Sequence, residues 1–172
     1  MTRVARCPLA VLTLAFGAVA AVHGEVYQEP GAFVAEVFGS TPAPKILWLT
    51  REMQAQAAAI LGHPAAQLRQ RYWSDGRKSL WILEETGKEE LITAGFVVVD
   101  GRIDHVRVLV YRESRGQEVR QGVFLKQFNG AQLVRGNRLD RDIDGIVGAT
   151  LSVGAIERMA RLVLYFDRES HG

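Results

Sequence analysis

Cysteine is almost absent from this sequence. The one cysteine in 172 residues is Cys7, and it lies in an apolar N-terminal segment that has the character of a cleavable signal. Disulfides, iron–sulfur clusters, cysteine-ligated zinc and c-type haem attachment all need cysteine thiols. The chain after that segment has no thiol, so a redox role there would need an organic cofactor.

An excess of charge of either sign is also missing. The formal net charge is +2, and the loss of Arg3 and Arg6 with a signal would bring it to zero. Nucleic-acid-binding proteins concentrate basic residues on one face to neutralise phosphates, and no such stripe is present, so we predict no nucleic-acid partner. Arg112, Arg115 and Arg120 form a small cluster, which is either a solvated hairpin face or a contact for an anion or an acidic partner.

No apolar run is long enough for a comfortable membrane span. Arg3 and Arg6 precede the apolar stretch 8–22, which is shorter than the roughly 20 residues that a transmembrane helix needs. A basic start, a short apolar run and small residues before the cleavage point are typical of a secretory signal. We therefore predict a signal peptide over residues 1–24 and a periplasmic location, with an uncleaved membrane anchor as the alternative.

Metal sets and catalytic pairs are lacking as well. The histidines are dispersed, and no nucleophile stands beside a general base in the sequence. Asp140, Asp142 and Asp144 alternate in a way that suggests a cation site, but they lack the glycine and the distal glutamate of a calcium loop. We predict no metal site.

Length and composition fit one compact domain, because 172 residues of which 48% are hydrophobic can bury a sizeable core. Residues 25–75 are predicted to form a small helical N-terminal segment. Within it, Thr50 opens an alanine-rich helix that ends at Leu61 before Gly62, and a second short helix is predicted over Ala65–Arg71.

Residues 76–172 are predicted to form the main domain, an antiparallel sheet packed by helices, so the fold class is α+β. Asp100-Gly101 marks a tight hairpin turn, and the glutamates around Gly87-Lys88 are predicted to form a charged turn. The three tryptophans stand in apolar contexts that are typical of core residues, and the alternative is that one of them stacks on a bound ring. The predicted strands are Ser79–Leu83, Leu91–Val99 and Val106–Tyr111, and the predicted helices are Phe124–Phe128 and Val153–Phe166. The turn glutamates are Glu84, Glu85, Glu89 and Glu90. The tryptophans are Trp48, Trp73 and Trp81.

The most informative stretch places a hydroxyl after a Gly-Ala turn at the point where a helix begins. It runs from Asp144 through Gly148, Ala149 and Thr150 to Ser152. Backbone N–H groups at a helix start have no partners within the helix, and the helix dipole favours an anion there. The stretch therefore indicates a phosphate site. Ordinary capping, with Thr150 or Ser152 as the N-cap, is the alternative.

A second informative block follows the last predicted strand. Glu113, Ser114 and Gly116 lie in a polar loop, which is followed by Phe124 and then by Phe128 and Gly130. Taken alone, this block is typical of a polar turn between a strand and a short helix.

Together, the two blocks resemble the FMN-binding domain family, which includes the covalently flavinylated periplasmic subunits of Na⁺-pumping quinone reductase and of the Rnf complex. In that family an Asp, three residues, Gly-Ala and then Thr or Ser mark the hydroxyl that takes FMN through a phosphoester. The resemblance covers roughly Leu91 to Phe166. This chain has Val147 where the family usually has Ser or Thr, and Arg115 and Glu118 where the family's loop has Pro and Gly.

The resemblance implies that Thr150 is the acceptor of FMN and that Asp144 orients the turn or serves the modifying enzyme. It also implies a flavin transferase that depends on FAD and Mg²⁺ for maturation, and a membrane-bound or periplasmic redox partner. The predicted FMN-binding residues are Thr150, Ala149, Gly148, Asp144, Leu151, Ser152, Glu113, Ser114 and Gly116.

The function implied is that of an extracytoplasmic electron carrier rather than of a stand-alone enzyme. Two alternatives remain from the sequence. One is a non-redox periplasmic binding or sensor module of the same fold, which Val147 keeps open. The other is a flavin reductase for a small acceptor, against which the chain lacks a nicotinamide-binding glycine signature.

Overall fold

The computed structural model describes residues 24–65 and 67–171, so nearly all of the predicted signal peptide lies outside the described residues. The described chain is α+β, as predicted. In chain order its helices and strands are β1 (Glu25–Val26), α1 (Pro30–Phe38), β2 (Lys45–Trp48), α2 (Arg51–Leu61), β3 (Arg69–Ser74), β4 (Lys78–Thr86), β5 (Leu91–Val99), β6 (Arg102–Tyr111), α3 (Gly122–Leu125), β7 (Leu133–Val134), β8 (Arg138–Leu139) and α4 (Thr150–Ser170).

A six-stranded antiparallel sheet organises the fold, with the strand order β1-β6-β5-β4-β3-β2. The hairpin between β5 and β6 turns at Asp100 and Gly101, whose φ angles are 50° and 70°. Two successive positive φ angles match the twist of the flanking strands, which is why Asp-Gly is favoured there. The predicted hairpin is confirmed.

The sheet is covered on both faces. On one side α1 places Phe33 and Val34 against Leu80 and Val97. On the other side α2 and α4 pack against the alternate residues of the same strands, among them Trp81, because successive side chains of a strand point to opposite faces. Double coverage explains why β5 is an almost unbroken apolar run rather than an alternating one.

Two helices define how the layers meet. Thr50 caps α2, since its hydroxyl accepts a hydrogen bond from the Met53 N–H at 3.2 Å, and Gly62 ends that helix with φ 82°; both were predicted. The long helix α4 begins at Thr150 and buries an apolar face along its whole length. None of the helices in the described ranges is both long and apolar enough to cross a bilayer.

The N-terminal segment contains α1 and α2 and also contributes three strands to the sheet. The predicted helix over Ala65–Arg71 is wrong, because residues from Arg69 onward form β3. Arginine and glutamine favour helices locally, but Gln70 and Tyr72 alternate inward with exposed Arg69, and β3 pairs with strands on both sides. Tertiary pairing thus overrides local propensity.

Two further predictions need correction. Trp81 is fully buried as predicted, but Trp48 is 66% exposed, because it lies on the outward face of the edge strand β2, where Arg69 stacks over its ring at 5.9 Å. Glu84 and Glu85 are not in the turn but in β4. Glu85 is buried and accepts hydrogen bonds from Arg158 of α4.

Candidate functional site

A cleft of about 580 Å³ opens where the start of α4 meets the loop after β6 and the turn between β4 and β5. This volume lies within the range of small-molecule sites, roughly 300–1,000 Å³. The lining residues are Lys88, Glu89, Glu113, Ser114, Arg115, Gly148, Ala149, Thr150, Leu151 and Ser152. The two blocks singled out in the sequence therefore line one cleft, although they lie far apart in the chain.

The start of α4 leaves its first N–H groups available. Gly148 has φ 83°, and the N-cap is Ala149, which offers no side-chain hydrogen bond. The first helical bond runs from the Val153 N–H to the Ala149 carbonyl at 2.9 Å. The N–H groups of the first turn are therefore uncapped, and they form the kind of helix terminus that binds anions.

Thr150 is the first residue of α4 and is exposed at the cleft. The capping interpretation of the motif assigned the N-cap to Thr150 or Ser152, and both assignments are wrong, because Ala149 occupies that position. Thr150 thus presents its hydroxyl beside the N–H groups rather than using it to cap them.

The hydroxyl of Ser152, by contrast, is committed inside the protein. Ser152 is buried, and its Oγ lies 3.0 Å from the Tyr111 hydroxyl. Tyr111 donates its own hydrogen to the Arg115 carbonyl at 2.5 Å, so Ser152 is the donor to Tyr111. Burial raises the pKa of Tyr111 above its ordinary value and keeps the phenol protonated for this role. Both residues line the cleft, but of the two hydroxyls only that of Thr150 is outside this network.

Gly116 allows the loop after β6 to approach α4. Its φ is 81°, and a Cβ there would stand 2.9 Å from the Tyr111 hydroxyl, 3.1 Å from Ser152 Oγ and 3.3 Å from Ala149 Cβ. Only glycine combines this backbone conformation with so close a contact. Gly116 does not line the cleft but fixes the distance between its two walls.

Glu113 organises the third wall, the turn between β4 and β5. Its Oε1 accepts hydrogen bonds from the backbone N–H groups of Lys88, of Glu89 at 2.8 Å and of Glu90 at 3.0 Å. Burial acts to raise the pKa of Glu113, but the three N–H donors outweigh it and hold that pKa below the ordinary value. A side chain that is 8% exposed therefore stays ionised and anchors the turn.

Two cations stand at the cleft, Lys88 and Arg115. Lys88 also pairs with Glu89 at 2.9 Å, but both side chains are largely exposed, so this pair is weak. Two carboxylates, Glu89 and Glu113, also line the cleft and balance the two cations. Glu113 is engaged by the three N–H groups of the turn, so the uncapped helix terminus beside Arg115 is the part of the cleft suited to an anionic group. The charge pattern of the sequence does not single out Lys88, since only the folded turn brings it to the same cleft as Thr150.

Asp144 and Val147 lie outside the cleft lining. The backbone of Asp144 is held by Gln127, whose Oε1 accepts from the Asp144 N–H at 2.7 Å. Val147 is fully exposed. Asp140 contacts Arg141 at 3.0 Å and Arg102 at 4.0 Å, which gives it a structural role in the loop.

Comparison with known families gives a match to part of the chain. Residues 87–164 match the family described as FMN-binding domain, a span that begins at the turn anchored by Glu113 and ends within α4. This agrees with the resemblance that the two sequence blocks carried. No curated protein is significantly similar to the chain.

Proposed function

Because residues 87–164 match the FMN-binding domain family, we propose that the protein is an exported electron carrier that holds FMN covalently through a phosphoester to Thr150. The observation that carries the proposal is the position of the Thr150 hydroxyl. It is exposed at the first residue of α4, beside uncapped N–H groups, in a cleft that also contains Lys88 and Arg115.

The residues present fit a flavin phosphate. A phosphodiester keeps one negative charge, and the cleft offers the helix terminus and two cations to receive it. The cleft volume of about 580 Å³ is sufficient for more than a phosphate alone. Leu151, which is 53% exposed at the same rim, provides apolar surface that a bound ring would cover.

Maturation requires a group transfer that this chain does not perform alone. In the proposed reaction, Thr150 Oγ attacks the FMN-side phosphorus of FAD. A P–O bond forms to Thr150, the bond to the AMP phosphate breaks, AMP leaves, and the hydroxyl proton is released. We propose that an exported flavin transferase supplies FAD and Mg²⁺ for this step and that Asp144, exposed on the loop before α4, is available to it.

Covalent attachment suits a protein outside the cytoplasm, since FMN is made inside the cell and a dissociable cofactor would be lost. The bound flavin would supply one- or two-electron transfer. The chain's residues would hold and position it: Arg115 and Lys88 would neutralise the phosphate, and the Glu113-anchored turn would keep Lys88 in place. The partner we propose is a membrane-bound or periplasmic redox protein.

The departure at Val147 removes no side chain from the cleft lining. A hydroxyl at position 147 would be solvent-exposed, as Val147 is, and it would stand outside the cleft lining. The non-redox alternative predicts a protein without covalently bound flavin, which the following test distinguishes from the proposal.

The test uses coexpression with a competent flavin transferase. We expect Thr150→Val to lose covalent flavin completely and Thr150→Ser to retain it, because serine supplies the same nucleophilic oxygen. Ser152→Ala is the matched control, and it should still be modified because the Ser152 hydroxyl faces Tyr111 rather than the cleft. In-gel fluorescence after denaturation and intact mass are the measurements. Flavin bound to Thr150→Val after denaturation would refute the assignment.

A further inference from the structure

A second cavity lies beside the C-terminal half of α4, on the side of the sheet covered by α2. Its volume is about 190 Å³, and its lining shares no residue with the cleft at Thr150. Met159 is the lining residue of α4 closest to Thr150 in the chain, about 13 Å away along the helix axis at the usual rise per residue. The apolar part of the lining includes Leu49, Leu61, Leu83, Met159, Leu162 and Phe166.

One buried polar side chain in this lining has an unused acceptor. Gln70 is 7% exposed, and its Nε2 donates to the Arg71 carbonyl at 2.9 Å and to the Ile82 carbonyl at 3.3 Å. These two bonds fix the orientation of the amide, since both amide hydrogens have acceptors. No donor in residues 24–65 or 67–171 meets Gln70 Oε1. Gln70 Oε1 is open to the cavity rather than sealed in the core, since the side-chain atom of the described residues that is both sealed and unpartnered is Arg161 Nε, so Oε1 can accept a hydroxyl or amine hydrogen from a ligand.

The two carboxylates of the lining, Glu84 and Glu85, already have partners. Glu84 lies 3.5 Å from Arg112 Nη2 and accepts from the Thr93 hydroxyl at 2.7 Å. Glu85 accepts from Arg158 Nη2 at 2.8 Å and from His63 Nε2 at 3.0 Å, and its own side chain is 4% exposed. Arg158 also donates to the Thr86 carbonyl at 3.2 Å. The cavity therefore offers no uncompensated charge for an ion among the residues that the structure describes, and its apolar walls disfavour a ligand with many hydroxyls. A neutral ligand with one donor suits it.

The size of the cavity limits the ligand further. An apolar cavity of about 150 Å³ holds a benzene molecule, and this one is slightly larger. We propose that the cavity is a second binding site, which takes a neutral six-membered aromatic ring carrying one hydroxyl, with the hydroxyl donating to Gln70 Oε1 and the ring against Leu83, Met159 and Leu162. This site is independent of flavin attachment at Thr150.

The test compares phenol with benzene on the purified mature protein, whether or not flavin is attached. We expect phenol to perturb the NMR signals of Leu83, Glu85 and Leu162, with a dissociation constant on the order of 1 mM. Benzene should bind about five- to tenfold more weakly, because it leaves Gln70 Oε1 without a donor. Absence of these perturbations, or equal affinity for the two probes, would overturn the proposal.

Two variants make the test specific. Gln70→Leu keeps the size of the side chain and removes the acceptor, so the preference for phenol over benzene should disappear. Gln56→Leu is the matched control, at an exposed position that contacts Asn137. The control should retain the preference for phenol. Leu162→Phe fills the cavity and should abolish binding of both probes, and Leu83→Phe serves the same purpose if the first variant does not fold. Unchanged phenol binding in a folded cavity-filled variant would show that the probe sits elsewhere and would overturn the assignment.

Discussion

At the scale of single residues, the site depends on one ionised carboxylate and one available hydroxyl. Glu113 holds the turn that carries Lys88, and Thr150 exposes its oxygen while the nearby Ser152 does not. The resemblance identified Glu113 as a residue of the flavin loop, but its sequence neighbours could not reveal that its partners are N–H groups 23 to 25 positions earlier.

Glu113→Gln tests the role of this carboxylate through pH. The pKa of Glu113 is lowered from 4.5, so its charge stabilises the fold above about pH 4.5, and this contribution is lost as the pH falls through the lower pKa of the folded state. We expect Glu113→Gln to reduce the free energy of unfolding by about 1–2 kcal/mol at neutral pH and to match the wild type in acid, as measured by urea denaturation across the pH range. Glu89→Gln, at an exposed position, is the control and should change little. If Glu113→Gln lowered the free energy of unfolding by the same amount at all pH values, the ionic role would be contradicted.

At the scale of secondary-structure elements, the site is the meeting point of three connections to the sheet. The start of α4, the loop after β6 and the turn between β4 and β5 come together because β4, β5 and β6 are neighbours in one sheet and α4 packs across them. Gly116 sets the closest approach between the loop and the helix.

Gly116→Ala is expected to disturb this approach and lower the extent of covalent flavin attachment. The Cβ of an alanine at position 116 would be too close to the Tyr111 hydroxyl and Ser152 Oγ. The positive φ at a non-glycine residue would add backbone strain of about 1 kcal/mol. Gly136→Ala is the matched control, since Gly136 has φ 78° but a Cβ there would have no atom within 4 Å. The measurement is the flavinylated fraction by intact mass. Equal loss in both variants would assign the effect to strain alone.

The contact between β4 and α4 includes the pair of buried Glu85 and partly buried Arg158. Arg158→Met leaves Glu85 buried without its main partner, so we expect the free energy of unfolding to fall by about 3 kcal/mol. The double variant Glu85→Leu with Arg158→Met should recover most of this loss. Arg168→Met is the control. It breaks an exposed pair with Glu169 and should lower the free energy of unfolding by less than about 1 kcal/mol. Denaturant titrations measure all three. A double variant no more stable than Arg158→Met would contradict the account.

The elements differ in how far the sequence could predict them. The turn at Asp100-Gly101 and the cap at Thr50 use local chemistry, and both were predicted correctly. The strand β3 was not, because Arg69 and Gln70 favour a helix until β2 and β4 are present to pair with them. Trp48 was placed in the core for a similar reason, since its apolar neighbours do not reveal that β2 is an edge strand.

At the scale of the whole molecule, the matched domain is only part of a larger sheet. Residues 87–164 match the family, but β1, β2, β3 and β4 lie before them in the chain and pair into the same sheet. The core on the α4 side also includes Met53 and Ile60 of α2. The N-terminal segment is thus part of the support for the proposed flavin site.

A fragment of residues 76–172 tests this dependence. Without the N-terminal segment, β4 becomes an exposed edge and α4 loses its contact with α2, so we expect no cooperative thermal transition and a tendency to aggregate. Circular dichroism and NMR dispersion are the measurements, with the chain from residue 25 onward as the control. A fragment that melts cooperatively would show that the domain folds independently.

The most direct test of the central claim is peptide mass mapping of the protein coexpressed with a flavin transferase. The account predicts that the peptide containing Thr150 gains the mass of FMN less one water and that fragmentation places the gain on Thr150. An unmodified Thr150 peptide, or the same gain on Ser152 or any other residue, would contradict it.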